Sequence, residues 1–164
     1  MKHLKHLLKQ PLNNLPNKVT IFLLVVALLG FIDATYLTVE HYKEVIPPCS
    51  VTGGCEVVLT SSYSTLLGIP VSLLGSIYYL LILVGVFAYF ESKNTNLLKW
   101  ALLLTLPGFL FSLWFVYVQV FLLHAYCVYC LGSFVTSTLL FVASVEVFAK
   151  YQNKIDETIQ YTNY

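Results

Sequence analysis

Arginine is missing from this 164-residue chain, and charge of either sign is scarce: charged residues make up 10% of it, and all nine basic residues are lysines. A soluble domain carries roughly 25% charged residues, so most of this surface must face something other than water. Lysines as scattered as Lys2, Lys5, Lys9, Lys18, Lys43, Lys93, Lys99, Lys150 and Lys154 exclude the clustered basic face that a nucleic acid needs. A phosphate-binding glycine loop, a His/Glu metal motif and a Gly-x-Ser-x-Gly elbow are lacking as well. There is no internal repeat and no low-complexity tract. Cysteine is nearly missing: the chain has four, in two pairs.

What remains is apolar. Hydrophobic residues are 58% of the chain, gathered in stretches at about 19–39, 71–90, 97–123 and 127–149. Each matches the roughly 20 residues that cross about 30 Å of hydrocarbon. The sequence therefore predicts one domain, an all-α integral membrane bundle of four transmembrane helices. Stretch 19–39 is too long for the apolar region of a signal peptide, and no small-residue cleavage site follows it. It reads as an uncleaved first helix. Residues 1–18 are polar and basic, with Pro11 and Pro16 interrupting any helix, and 150–164 form a polar tail. The loop 40–70 is rich in turn residues: Pro47-Pro48, Gly53-Gly54, Thr60-Ser61-Ser62. Within it a short surface helix is expected over 56–67, pressing Val57, Val58, Leu59, Leu66 and Leu67 on the bundle. Pro70 suits the first turn of the next helix, and Pro107-Gly108 predicts a kink in the long third span.

Lysine placement orients the bundle. Every lysine but Lys43 lies before the first span, after the fourth, or at the junction of the second and third. By the positive-inside rule those regions face the cytoplasm. The loop 40–70 and the tight turn at His124 then lie on the opposite side, and both cysteine pairs fall on the extracytoplasmic face, where disulfides persist.

Cys127 and Cys130 open the fourth span. Residues three apart share a helix face, so both sulfurs can point one way and close a disulfide. A helix N-terminus stabilises a thiolate, most strongly at the first cysteine, which makes Cys127 the exchanging sulfur and Cys130 the deeper one. Two inert buried thiols are the plain alternative. Cys49 and Cys55 sit in the Pro/Gly-rich loop. They read as a shuttle that meets a soluble partner on one side and Cys127 on the other, since exchange needs only access and a thiolate. A static structural disulfide and a four-cysteine zinc site are the alternatives. Asp33, an acid inside the first span, reads either as a proton donor to a reduced quinone or as a carboxyl satisfied by a neighbouring helix or the interface. His41 and His124 are near the outer surface, where each reads as incidental or as a proton relay, and Glu146 reaches for water at the cytoplasmic end.

The order Cys49-x5-Cys55, Val58-x-x-Ser61-x-Tyr63, Gly68-Ile69-Pro70, Gly75 and Cys127-x-x-Cys130 resembles the vitamin K epoxide reductase family over roughly residues 20–148. It is most similar to the prokaryotic branch, in the form without a fused thioredoxin-like domain. The resemblance implies a four-helix bundle around a quinone of menaquinone or ubiquinone type, covered by a surface helix carrying Ser61. It implies catalytic Cys127 and Cys130, a shuttle of Cys49 and Cys55, and a quinone contacted by Cys130, Ser61, Tyr63 and the position of Phe134. It further implies a separate thioredoxin-like or DsbA-like extracytoplasmic partner and a place in the cytoplasmic membrane. Vertebrate members carry a Tyr where this chain has Phe134 and an Asn where it has Val71, so hydrogen-bonded recognition of an epoxide is not expected. DsbB-type thiol oxidases carry their two cysteine pairs in the reverse order. The expected function is a thiol:quinone oxidoreductase supporting disulfide formation. The alternatives are a vertebrate-type vitamin K epoxide reductase and a non-catalytic membrane scaffold with structural disulfides.

Overall fold

The computed structural model describes residues 15–49, 53–93 and 95–162, with side chains through residue 150 except at position 95. Most of the basic segment read at 1–18 lies outside the described residues. Among the described residues four helices are long and apolar enough to cross a membrane: Asn17–Tyr42, Val71–Ser92, Asn96–Leu123 and Val128–Lys150. In element terms, α1 is Asn17–Tyr42 and a short α2 is Cys55–Thr60. A hairpin of β1 (Thr65–Leu66) and β2 (Ile69–Pro70) leads into α3, Val71–Ser92. Then come α4 (Thr95–Tyr117), a π-helical turn at Val118–Leu123, and α5 (Val128–Thr162). The protein is an all-α, multi-pass membrane bundle.

The outward faces explain the solvent. Leu29, Ile32, Leu81, Phe87, Trp100 and Trp114 are all more than half exposed or close to it, an arrangement that only lipid tolerates at this density. The four long helices close a ring in which α1 packs on α3 and α5, and α4 packs on α3 and α5. Lipid tails are as apolar as leucine, so close packing and hydrogen bonds between helices must hold such a ring. Small residues provide the first. A Cβ at Gly30 would fall on the Tyr79 ring and one at Gly108 on the Tyr78 ring, so these two glycines seat adjacent tyrosines of α3 against α1 and α4. At the other end of α3, Gly85 lies against Ala101 of α4, where an added Cβ would come within 2.8 Å of the alanine methyl.

Hydroxyls provide the second. Tyr79 donates to the Ser133 carbonyl at 2.8 Å and lies 2.7 Å from Thr136 Oγ1, tying α3 to α5. Thr35 and Ser76 join α1 to α3 at 2.8 Å, and Ser137 donates to Ser112 at 2.9 Å between α5 and α4. Each such bond contributes about 0.6 kcal/mol on average in a bilayer.

Local structure departs from expectation in the loop and in the tail. The surface helix stops at Thr60 instead of running to Leu67, because Ser61 turns extended at φ −68°, ψ 158°. The hydroxyls there compete for helix carbonyls: Thr60 donates to Glu56 O, Ser61 to Val58 O and Ser64 to Ser61 O. Leu66 and Leu67 consequently belong to a two-residue hairpin, and Leu67 is 97% exposed instead of pressing on the bundle. Of that apolar set Val58 alone is fully buried. Pro70 ends β2 and caps α3 from outside its first turn. α4 carries Pro107 within its helix, and a π-helical turn follows at 118–123. The segment read as a tail continues α5 as helix to Thr162.

Candidate functional site

Cys127 stands one residue before α5. Its carbonyl accepts the first helical bond, from Leu131 N–H at 3.0 Å, and its own N–H donates to Gln119 Oε1 at 2.9 Å. Gln119 is fully buried within the π-helical turn. Its backbone carbonyl also accepts from the His124 and Ala125 N–H groups, so one residue holds the whole turn. His124 closes that turn in the left-handed region, at φ 49°. Cys127 and Cys130 are free thiols here, Cys127 buried and Cys130 partly so. The Cys127 thiol is drawn below its ordinary pKa, chiefly by a hydrogen bond from the Cys130 thiol, against burial, and with help from the backbone N–H groups of Cys130 and Tyr129. That is the polarisation of an exchanging sulfur.

Cys49 and Cys55 form a disulfide with their Cα atoms 6.0 Å apart. Cys55 opens α2 and is fully buried, while Cys49 is half-buried. Two contacts press this loop on the Cys127 turn. Gly54 lies so close that an added Cβ would come within 2.7 Å of Tyr126 N and 2.9 Å of Tyr126 O. Tyr129 donates to the Pro48 carbonyl at 3.3 Å, just before Cys49. As a result Cys55, Val58 and Cys127 form one buried cluster, with Cys49 and Cys130 packed at its edge.

Beneath this cluster lies a cavity of about 790 Å³, within the roughly 300–1,000 Å³ of small-molecule sites. Its roof is α2 and the residues after it, including Ser61, and Glu40, His41 and Glu44 stand at and just past the C-terminal end of α1. Tyr78 and Gly75 come from α3, Pro107 and Phe111 from α4, and Cys130 and Ser133 from α5. Among the described residues the buried side-chain polar atoms without a hydrogen-bond partner are Asp33 Oδ2 and the Tyr78 hydroxyl, and both residues line this cavity. Leaving such groups bare costs about 1–3 kcal/mol each. A flat, mostly apolar ligand bearing carbonyl oxygens fits that wall, which is the chemistry of a quinone.

Of the residues singled out from sequence, the structure brings Cys49, Cys55, Cys127 and Cys130 together and sets Cys130 and Ser61 in the cavity wall. It does not bring Tyr63 or Phe134 there. Tyr63 is 41% exposed past the end of α2, and Phe134 stacks on Phe109 with ring centroids 6.5 Å apart. Gln119 and Tyr78 escaped the sequence reading. Gln119 left one signal, a lone amide in the apolar run before Cys127, whereas Tyr78 was one tyrosine among 12.

Residues 21–145 match the family model described as "Vitamin K epoxide reductase family". That stretch holds all four cysteines, the cavity's lining and the Gln119 turn. The chain belongs to the vitamin K epoxide reductase family, whose members are membrane thiol–disulfide oxidoreductases linked to quinones.

Proposed function

We propose that this protein is a membrane thiol oxidase that passes electrons from a separate thioredoxin-like or DsbA-like extracytoplasmic protein, through Cys49/Cys55 and then Cys127/Cys130, to a quinone of menaquinone or ubiquinone type. The observation that carries this reading is the row of sulfurs: half-buried Cys49, then Cys55 against Cys127, then Cys130 in the wall of a cavity large enough for a quinone head group.

The order of exposure suggests the order of exchange. A partner thiolate attacks Cys49 and Cys55 leaves; the partner's second thiol then releases Cys49, leaving a disulfide in the partner and a loop dithiol. Cys55 next attacks a Cys127–Cys130 disulfide at Cys127, and Cys49 resolves the mixed bond, returning the loop to its oxidised form. Exchange rates depend on the thiolate fraction and on the leaving group, and the lowered Cys127 pKa favours it as the sulfur released when Cys49 resolves the bond. A bound quinone supplies a two-electron, two-proton acceptor.

Replacing Cys130 by Ala tests this directly. With decyl-ubiquinone and a reduced thioredoxin-like partner, quinone reduction is expected to fall at least about a hundredfold, as when a group acting only in the reaction itself is removed. Unchanged reduction would sink the assignment. A quinone acceptor is favoured over an epoxide because Phe134 and Val71 bring no side-chain hydrogen bond to their positions; turnover with the two acceptors separates these readings. A scaffold with structural disulfides would instead hold its thiols in one fixed state whatever the quinone supply.

A further inference from the structure

The cavity wall is not uniform in how its polar groups are answered. Tyr79 has its hydroxyl on Ser133 and Thr136, and Ser112 meets Ser137. Ser61 donates to the Val58 carbonyl. Against this background Asp33 Oδ2 and the Tyr78 hydroxyl are buried and unanswered. They come from different helices, α1 and α3, yet line the same cavity as Cys130. Their placement is built in. The Tyr78 ring occupies the space that Gly108 leaves by having no Cβ, immediately after Pro107. On the α1 side Ala34, next to Asp33, lies against Gly75, where an added Cβ would sit 3.5 Å from its methyl. Buried polar groups are expected to be paired, and acids inside a membrane span mark functional sites by default. Two orphans on one cavity imply a shared ligand.

We propose that Asp33 and Tyr78 hold one carbonyl oxygen of the quinone head group, Tyr78 by donating a hydrogen bond to it and Asp33 by carrying its proton. The proposal rests on the quinone-reducing reading of the cavity and adds the proton route to it. When Cys127 and Cys130 close their disulfide, two S–H bonds break and one S–S bond forms. The two electrons and two protons released appear on the acceptor as two O–H bonds, so no further reductant or acid is consumed. The two carbonyls of a para-quinone are on opposite sides of its ring, so a sulfur beside one of them cannot protonate both. The far oxygen needs a carrier. A carboxyl serves, because it accepts a proton on one oxygen while giving one up from the other, and it ends the cycle unchanged. A tyrosine hydroxyl fixes the oxygen by donation without having to ionise.

The two residues should separate in kinetics and in binding. Protein in lipid nanodiscs is supplied with dithiothreitol as electron source and decyl-ubiquinone as probe. Turnover is followed by quinone absorbance, and binding by calorimetry. Tyr78→Phe is expected to weaken probe binding about five- to tenfold, the loss of one hydrogen bond. Asp33→Asn, of nearly the same shape, should leave binding within about threefold and lower kcat at least about tenfold, the mark of a group needed in the reaction itself. A third readout does not depend on turnover. Labelling of Asp33 by dicyclohexylcarbodiimide, read by mass spectrometry, should be slowed by the probe. Assembly is checked by thiol trapping of all four cysteines, and Asp33→Ser replaces Asp33→Asn if the latter fails that check. Wild-type binding and turnover in both variants, or Asp33 labelling indifferent to the probe, overturns the proposal. Since Cys130→Ala is measured alongside, its inactivity in that case leaves the quinone reading standing, while its activity removes that reading itself.

Discussion

Gln119 directs its side chain and its carbonyl at the same turn, and both hold Cys127. Oε1 accepts the Cys127 N–H, and the carbonyl accepts from the two residues at the bend. Gln119→Leu keeps the volume but leaves a buried N–H without its acceptor. A loss of about 1–3 kcal/mol is expected in thermal unfolding, together with slower disulfide exchange between the loop and Cys127; unchanged exchange would show that the turn holds itself. The Cys127 thiol makes a second test. Its pKa is lowered mainly by the Cys130 hydrogen bond, so its thiolate persists to lower pH than that of an ordinary cysteine. Alkylation of reduced Cys127 should therefore reach half its maximal rate below the ordinary thiol range, and Cys130→Ala should move that midpoint upward. A midpoint that stays put would mean the backbone N–H groups alone set it. At this scale the sequence was legible wherever chemistry narrows the choice. Four cysteines in an otherwise cysteine-free chain, and an acid in a span, announce themselves. Gln119 and Tyr78 do not, because their importance comes from what buries them: a turn that folds back over the amide, and a glycine on the next helix that seats the ring.

Elements are harder to read than residues where local hydroxyl bonding competes with helix. The long spans followed from composition, since roughly 20 apolar residues in lipid can satisfy their backbone only as helix. The stretch 56–67 had the apolar content for a helix, yet Thr60, Ser61 and Ser64 turn their hydroxyls onto nearby carbonyls. The chain then reverses through Leu67 and Gly68, both left-handed at φ 53° and 81°, the pair of positive angles that a tight hairpin needs. Leucine is poorly suited to that region, and Leu67 is almost wholly exposed. Leu67→Gly is accordingly expected to stabilise the protein by about 1 kcal/mol, read as a rise in melting temperature, with turnover unchanged. Gly54 supports the opposite prediction. A methyl there would meet Tyr126 backbone atoms at 2.7 and 2.9 Å, which no side-chain rotation relieves. Gly54→Ala should push α2 away from the Cys127 turn. External dithiothreitol should still reduce Cys49–Cys55, while transfer from that pair to Cys127–Cys130 slows at least about tenfold, as expected when reacting atoms are displaced by an ångström or so. Fast transfer in this variant would mean that the loop need not dock.

For the molecule as a whole, the ring of four helices puts every group of the relay at one end. The α1–α2 loop, the hairpin and the α4–α5 turn all lie there, because α1 and α3 end and begin at that end while α4 and α5 meet at it. The opposite end carries Lys93, at the left-handed close of α3, and the helical continuation of α5 past residue 150. Lysine placement argues that this second end faces the cytoplasm, which would set the cysteines on the side where a secreted partner and an oxidising environment are found. The orientation has a direct test. In a background with Cys127 and Cys130 changed to Ala and the loop disulfide intact, a single new cysteine is introduced at Leu67 or at Lys93, both exposed positions. A maleimide that cannot cross membranes should label Leu67→Cys in intact cells and Lys93→Cys only after the cells are opened. The reverse pattern would turn the bundle over, place both dithiols toward the reducing side of the membrane, and replace a secreted partner with a cytoplasmic thiol pool as the source of electrons.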